Sequence, residues 1–118
     1  MTKLIKIIFL SYFSLFFHAV NAQEKIKIGL LVPMTGENKE IGESIIKAVG
    51  LAVKDIDNDL IEIYPKDTAT KANQTLKSAF ELSEMGIKIV IGPVFYESLT
   101  YLDEMKDLTF LSLSLIHI

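Results

Sequence analysis

Cysteine, tryptophan and arginine are absent from this 118-residue chain, and histidine occurs only at His18 and His117. Without thiols, neither a disulfide nor a thiolate metal site can form. Twelve lysines against 15 acidic residues leave a formal charge of −3, which argues against a protein that tracks nucleic-acid phosphates. Low-complexity tracts are also missing and half the residues are hydrophobic, a composition that speaks for a packed domain over a disordered tail. The scarcity of histidine bears on catalysis. His18 sits in an N-terminal apolar segment and His117 beside the last residue, so Ser–His–Asp and Cys–His arrangements lack a base or a nucleophile. No carboxylate pair has an apolar setting that would raise a pKa for acid–base work. The reading is a non-enzyme with no catalytic residues.

Two motifs fall short for nameable reasons. Gly36 and Gly42 have five residues between them and Glu43 follows the second, where a phosphate loop needs four intervening residues and a lysine; Glu37, Glu40 and Glu43 would repel a phosphate. Asp55, Asp57 and Asp59 imitate the start of a calcium loop. Leu60 and Lys66 then occupy the positions that need the bend-forming glycine and the bidentate glutamate. No G-x-G-x-x-G is present. The sequence therefore predicts no cofactor and no metal.

At the N-terminus, Lys3 and Lys6 precede an uncharged run from Ile7 to Phe17, and Val20-Asn-Ala22 follows. These are the parts of a secretory signal peptide, expected over residues 1–22. The competing reading, a membrane anchor, needs about 20 apolar residues; this run is shorter and is diluted by Ser11, Ser14 and His18. Cleavage after Ala22 would leave 96 residues with a charge of −5, and with no cysteine at the cut, no lipidation. The expectation is a periplasmic protein with no stable membrane anchor.

Beyond residue 22 the pattern alternates between strand and helix. Ile26–Val32 reads as a first strand, with a near-continuous apolar end suited to burial on both faces. Ile41, Ile45, Val49, Ala52, Val53 and Ile56 recur at helical spacing, with Asn38 as N-cap and Asp57-Asn-Asp59 as stop. Leu60–Tyr64 reads as a second strand closed by Pro65. A second helix capped by Thr70 carries the stripe Ala72, Leu76, Ala79, Phe80 and Ser83, and Gly86 suits its C-terminal end. Ile87–Ile91 forms a third strand. A helix from about Tyr96 to Lys106 buries Leu99, Leu102 and Met105, and Thr109–Leu113 is the fourth strand. This β-α-β-α-β-α-β order predicts an α/β fold, a doubly wound parallel sheet in three layers. The strand order stays open. Four strands fall short of a complete layered domain, so the chain is expected to be unfinished at its open C-terminal edge.

In open α/β sheets, ligands sit beyond the C-terminal ends of the strands. The loops there are Pro33–Gly36, Asp67-Thr68, Gly92–Phe95 and Ser112. Gly36 and Gly92 permit close backbone approach, Thr35 and Thr68 supply uncharged hydrogen bonds, and Phe95 and Tyr96 offer an apolar wall. The alternative for each residue is that Gly and Pro shape turns and Phe95 fills the core.

At these loops the chain resembles the periplasmic binding protein type 1 superfamily, in its leucine-binding-like branch. The matching elements are Ile26–Gly36 followed by Gly42, then Tyr64-Pro-Lys-Asp67-Thr68, then Ile89-Val-Ile-Gly92-Pro93, and Phe110-Leu-Ser-Leu113. "Gly-Pro-Val-Phe" and "Asp-Thr" look most like penicillin-binding protein activators. Amino-acid carriers of the branch usually show adjacent serines after the third strand, where this chain has Tyr96 and Glu97 with only Ser98. The activators are commonly lipoproteins, and the missing cysteine departs from that. The resemblance implies two hinged α/β lobes closing on a ligand. Residues 23–113 would be the first part of lobe 1, with Thr35, Gly36, Asp67, Thr68, Gly92 and Phe95 facing the cleft. It further implies a solute-binding component of an ABC importer. The expected ligand is small and polar, amino acids included, and the expected partner is the importer's permease. The alternative is an activator-like regulator of a cell-wall synthase. The closing Leu113-Ser-Leu-Ile-His-Ile118 looks like a translated sequencing adapter, so residues 114–118 are set apart as a candidate non-native tail.

Overall fold

A computed structural model describes residues 1–16 and 23–113. The expected cleavage site at residues 20–22, both histidines and the 114–118 tail lie outside the described residues. Helix α1 spans Thr2–Phe16. No helix among the described residues is long and apolar enough to cross a membrane.

Strand β1 (Ile26–Val32) matches its expected bounds. Its apolar residues alternate between two cores because side chains of a strand point to opposite faces. Leu30 and Val32 join Val94 and Phe95 on one face, under Ile41, Ile45, Ile46 and Val49 of α2 (Lys39–Ile56). Leu31 faces the other way, into a cluster with Val90, Ile87, Leu108 and residues Ala79 and Leu82 of α3 (Ala72–Glu84). The near-continuous apolar end of β1 is thus explained by a helix on each side.

The sheet is all parallel, in the order β2-β1-β3-β4. Strand β2 (Ile61–Asp67) begins one residue later than expected and runs straight through Pro65. Proline cannot donate to a ladder, but β2 is an edge strand, so its missing N–H leaves no neighbour unpaired. Strands β3 (Ile89–Ile91) and β4 (Thr109–Leu111) are shorter than expected. Asp57 closes α2 in the left-handed conformation, φ +50°, and Gly86 does the same after α3 at φ +77°, as expected of helix ends.

Two expectations need correction. The buried face of α3 is Thr75, Ser78, Ala79 and Leu82, while Phe80 stands more than half exposed. Thr75 and Ser78 can be buried because both hydroxyls are spent on backbone carbonyls, Thr75 on Lys71 (2.8 Å) and Ser78 on Asp67 (2.6 Å). The third α-helix is absent. Two short 3-10 helices, Tyr96–Leu99 and Leu102–Glu104, replace it. The residues packed inward there are Leu99, Leu102, Met105 and Leu108, one in every three. A 3-10 helix repeats every three residues and keeps such a row in line; an α-helix would rotate it away by about 60° per step.

Candidate functional site

The ladder register sets the site. Val32, the end of β1, pairs with Asp67, the end of β2, and Leu30 pairs with Ile91 of β3. The segments leaving β1 and β2 therefore start side by side at one rim of the sheet.

They are tied together by one side chain. Asp67 Oδ1 accepts the backbone N–H of Met34 (2.7 Å), of Thr35 (3.3 Å) and of Ala69 (2.8 Å). Its Oδ2 accepts the Thr35 hydroxyl at 2.6 Å. Partial burial alone would raise the Asp67 pKa. The Thr35 hydroxyl and the Met34, Ala69 and Thr35 amides outweigh it and hold the carboxyl below its usual range.

Around this carboxylate the backbone is sharply bent. Ala69 and Thr70 both take left-handed φ values, +47° and +56°, and Gly36 takes +86°. Left-handed residues other than glycine cost free energy and persist only where neighbours impose them. Here the neighbours are visible. Thr68 N–H extends the ladder to the Val32 carbonyl (3.0 Å), Lys71 N–H returns to the Thr68 carbonyl (2.9 Å), and Thr70 N–H points to Thr68 Oγ1 (3.4 Å). Asn38 does sit before α2, but its side chain makes no cap bond; its Nδ2 donates to Thr70 Oγ1 at 3.2 Å, a second tie between the loops. Likewise Thr70 does not cap α3, whose N-cap position is Lys71. Gly42 lets α2 lie against the end of β1: a Cβ there would overlap the Pro33 carbonyl oxygen.

Of the six residues singled out by sequence, Thr35, Gly36, Asp67 and Thr68 come together. Thr35 and Gly36 are exposed, Asp67 is half-buried and Thr68 is buried. Gly92 and Phe95 follow β3 and do different work. Gly92 is buried at φ +108°, precedes a cis bond to Pro93, and donates its N–H to the Leu111 carbonyl (2.8 Å). A Cβ on it would collide with the Leu31 carbonyl. Phe95 is 8% exposed and packs in the core with Leu30, Val32 and Val94, while its neighbour Tyr96 is 61% exposed. Ala69 and Ser78 were missed, and Asn38 and Thr70 were read only as helix caps. The run Asp67-Thr-Ala-Thr70 held a usable signal, since Asp and Thr side chains that bond two residues ahead build turns of this kind.

A hollow of about 490 Å³ lies at the opposite rim, lined by Glu24–Lys27, Met85, Gly86, Lys88 and Ile89, and shares no residue with this cluster. Among the described residues, no group of three or more metal-ligating side chains comes together. At this rim the Thr35 hydroxyl oxygen keeps acceptor capacity after donating to Asp67, beside the exposed side chain of Met34.

No family model matches the chain, and no curated protein matches it. Solved structures do. A leucine-binding protein, LivK, from Thermotoga maritima is 17% identical at a TM-score of 0.68, covering 77% of this chain and 28% of that one. An ABC-transporter solute-binding protein from Rhodopseudomonas palustris, solved with 3,4-dihydroxybenzoic acid, is 24% identical at 0.68, covering 76% and 27%. The C-domain of LpoA from Haemophilus influenzae, a regulator of PBP1A, is 22% identical at 0.61, covering 73% and 27%. The chain spans about a quarter of the length of these structures. With four parallel strands in the order β2-β1-β3-β4, a helix on each face and this likeness, the chain has the fold of part of a lobe of the type 1 periplasmic binding proteins.

Proposed function

We propose that the chain is part of the first lobe of an exported, non-enzymatic solute-binding protein that hands a small polar ligand to an importer permease. Residues 1–22 act as its signal peptide, which the positive n-region and short apolar core support. The observation that carries the reading is the joined rim at the ends of β1 and β2. Asp67 fixes the Met34–Thr35 and Ala69 backbones in one arrangement, and a rim held this way presents its remaining groups without an ordering cost at binding. Thr35 and Gly36 form this lobe's share of the seat, with the buried Thr68 shaping the second loop and Gly92 the third. A second lobe would close over it, and ligand would shift the balance between open and closed forms.

The test is a thermal-shift screen of the full-length protein against amino acids and small aromatic carboxylates at millimolar concentration. A saturable rise in Tm with one class is expected. No shift with any of them counts against carriage.

A second reading is favoured by a specific finding. Both Asp67 oxygens are already engaged and Phe95 lies in the core, so the rim offers few unspent polar groups and no aromatic wall from Phe95. On that basis the lobe would serve as an activator-like regulator that engages a cell-wall synthase and holds no small ligand tightly. Stimulation of a purified penicillin-binding synthase by a ligand-blind full-length protein would select it.

A further inference from the structure

The donors around Asp67 form a receptor in their own right. Three backbone N–H groups, from Met34, Thr35 and Ala69, converge on one oxygen, and the Thr35 hydroxyl takes the other. Converging main-chain N–H groups make a concavity suited to an anion. A planar carboxylate with two acceptor oxygens is the shape that this set accommodates.

We propose that this concavity is a carboxylate-binding seat whose resident is the chain's own Asp67, so that Asp67 is a positioning residue and the seat is closed to a ligand's carboxylate. Three details support the assignment. The seat joins two loops 32 residues apart in sequence, which a residue exposed merely to solvent would not do. The carbonyl of Asp67 is itself held by the Ser78 hydroxyl, so the side chain starts from a fixed backbone. The Ala69 amide closes an Asx-type turn onto Asp67 two residues before it, in a loop where Ala69 and Thr70 are both left-handed. A consequence follows for recognition, and it rests on the carrier reading above: a ligand on this rim is held by hydroxyl and backbone hydrogen bonds and apolar contact, and its carboxylate, if it has one, is met elsewhere.

Chemical rescue in the full-length protein tests the seat without any knowledge of the ligand. Asp67→Ala should lower Tm by several degrees. Acetate or formate at tens to hundreds of millimolar should then raise Tm saturably, beyond the response to chloride at equal ionic strength and beyond the response of the unaltered protein. Asp67→Asn keeps one acceptor oxygen for the three amides, and its NH2 can donate to the Thr35 oxygen. It should retain most of the lost stability and show no acetate response. Equal acetate responses in all three proteins, or an Asp67→Ala variant as stable as the original, would overturn the proposal. If Asp67→Ala does not fold, hydrogen exchange in Asp67→Asn and Thr35→Val decides. Faster exchange of the Met34 and Ala69 amides than in the unaltered protein, with the larger rise in Asp67→Asn, where their charged acceptor becomes neutral, than in Thr35→Val, supports the seat, and unchanged exchange in both refutes it. Failure of the ligand screen leaves these outcomes untouched, so the two readings can fail separately.

Discussion

Single residues at the rim are held to narrow tolerances. Gly92 combines φ +108° with a missing Cβ that would meet the Leu31 carbonyl. Gly92→Ala should cost at least about 2 kcal/mol, from left-handed strain and the clash together, read as a fall in denaturant midpoint at unchanged m-value. Asp67 sets an acid limb. Its folded pKa is depressed, so its contribution is complete above the unfolded value of about 3.9 and is lost as pH falls through the folded pKa. Glu62, bonded by Lys25 and Tyr64, and Glu81, bonded by Lys66, are depressed too and act in the same direction. Tm measured from pH 7 down to pH 3 should therefore drop most steeply below about pH 4. Asp67→Asn should flatten part of that drop. Lys25 and Tyr64 are raised, so their share is present at neutral pH and fades only in the alkaline range.

At the scale of elements, α3 and the paired 3-10 helices share one core but differ in their own bonding. Leu82 is fully buried between α3 and the sheet, and its side chain lies where a Cβ on Gly29 would fall. Leu82→Ala should cost about 2–5 kcal/mol, checked by chemical denaturation. The 3-10 segment makes poorer hydrogen bonds over shorter runs. Native-state hydrogen exchange should show amides of residues 96–104 opening at lower free energy than those of residues 75–84. Equal protection of the two would mean that the segment is stabilised as an α-helix.

At the scale of the whole molecule, the two edges of the sheet formed by the described residues are unlike. Edge strand β2 carries Pro65, and its Lys66 pairs with Glu81 (2.8 Å), features that discourage another strand from docking. Edge strand β4 has neither, and its own Leu111, paired with Ile91, is 55% exposed, with Ile89 at 43% on the same face of the sheet. A fragment of residues 23–113 should self-associate through that edge, measured by light scattering after size exclusion. Leu111→Lys should reduce the association. A monodisperse fragment with a sharp melt would refute this.

Composition and period determined the fold class without help from the structure: apolar residues two apart or three and four apart can satisfy only strand or helix burial, and their alternation admits little but a parallel layered sheet. The first strand, the stop of α2 at Asp57 and the left-handed Gly86 were legible for the same local reason. Strand order, passage of β2 through Pro65, burial of Thr75 and Ser78, and the tie from Asp67 to a loop 32 residues away were decided by tertiary structure. Each depends on which neighbour stands beside a group: a proline is harmless at an edge, and a hydroxyl can be buried once a carbonyl accepts it. The same carboxylate that reads as a ligand contact becomes a brace when four donors surround it. The three-residue spacing of Leu99, Leu102, Met105 and Leu108 was in the sequence all along, but only their shared core showed that the spacing, and not helix propensity, governs that crossover.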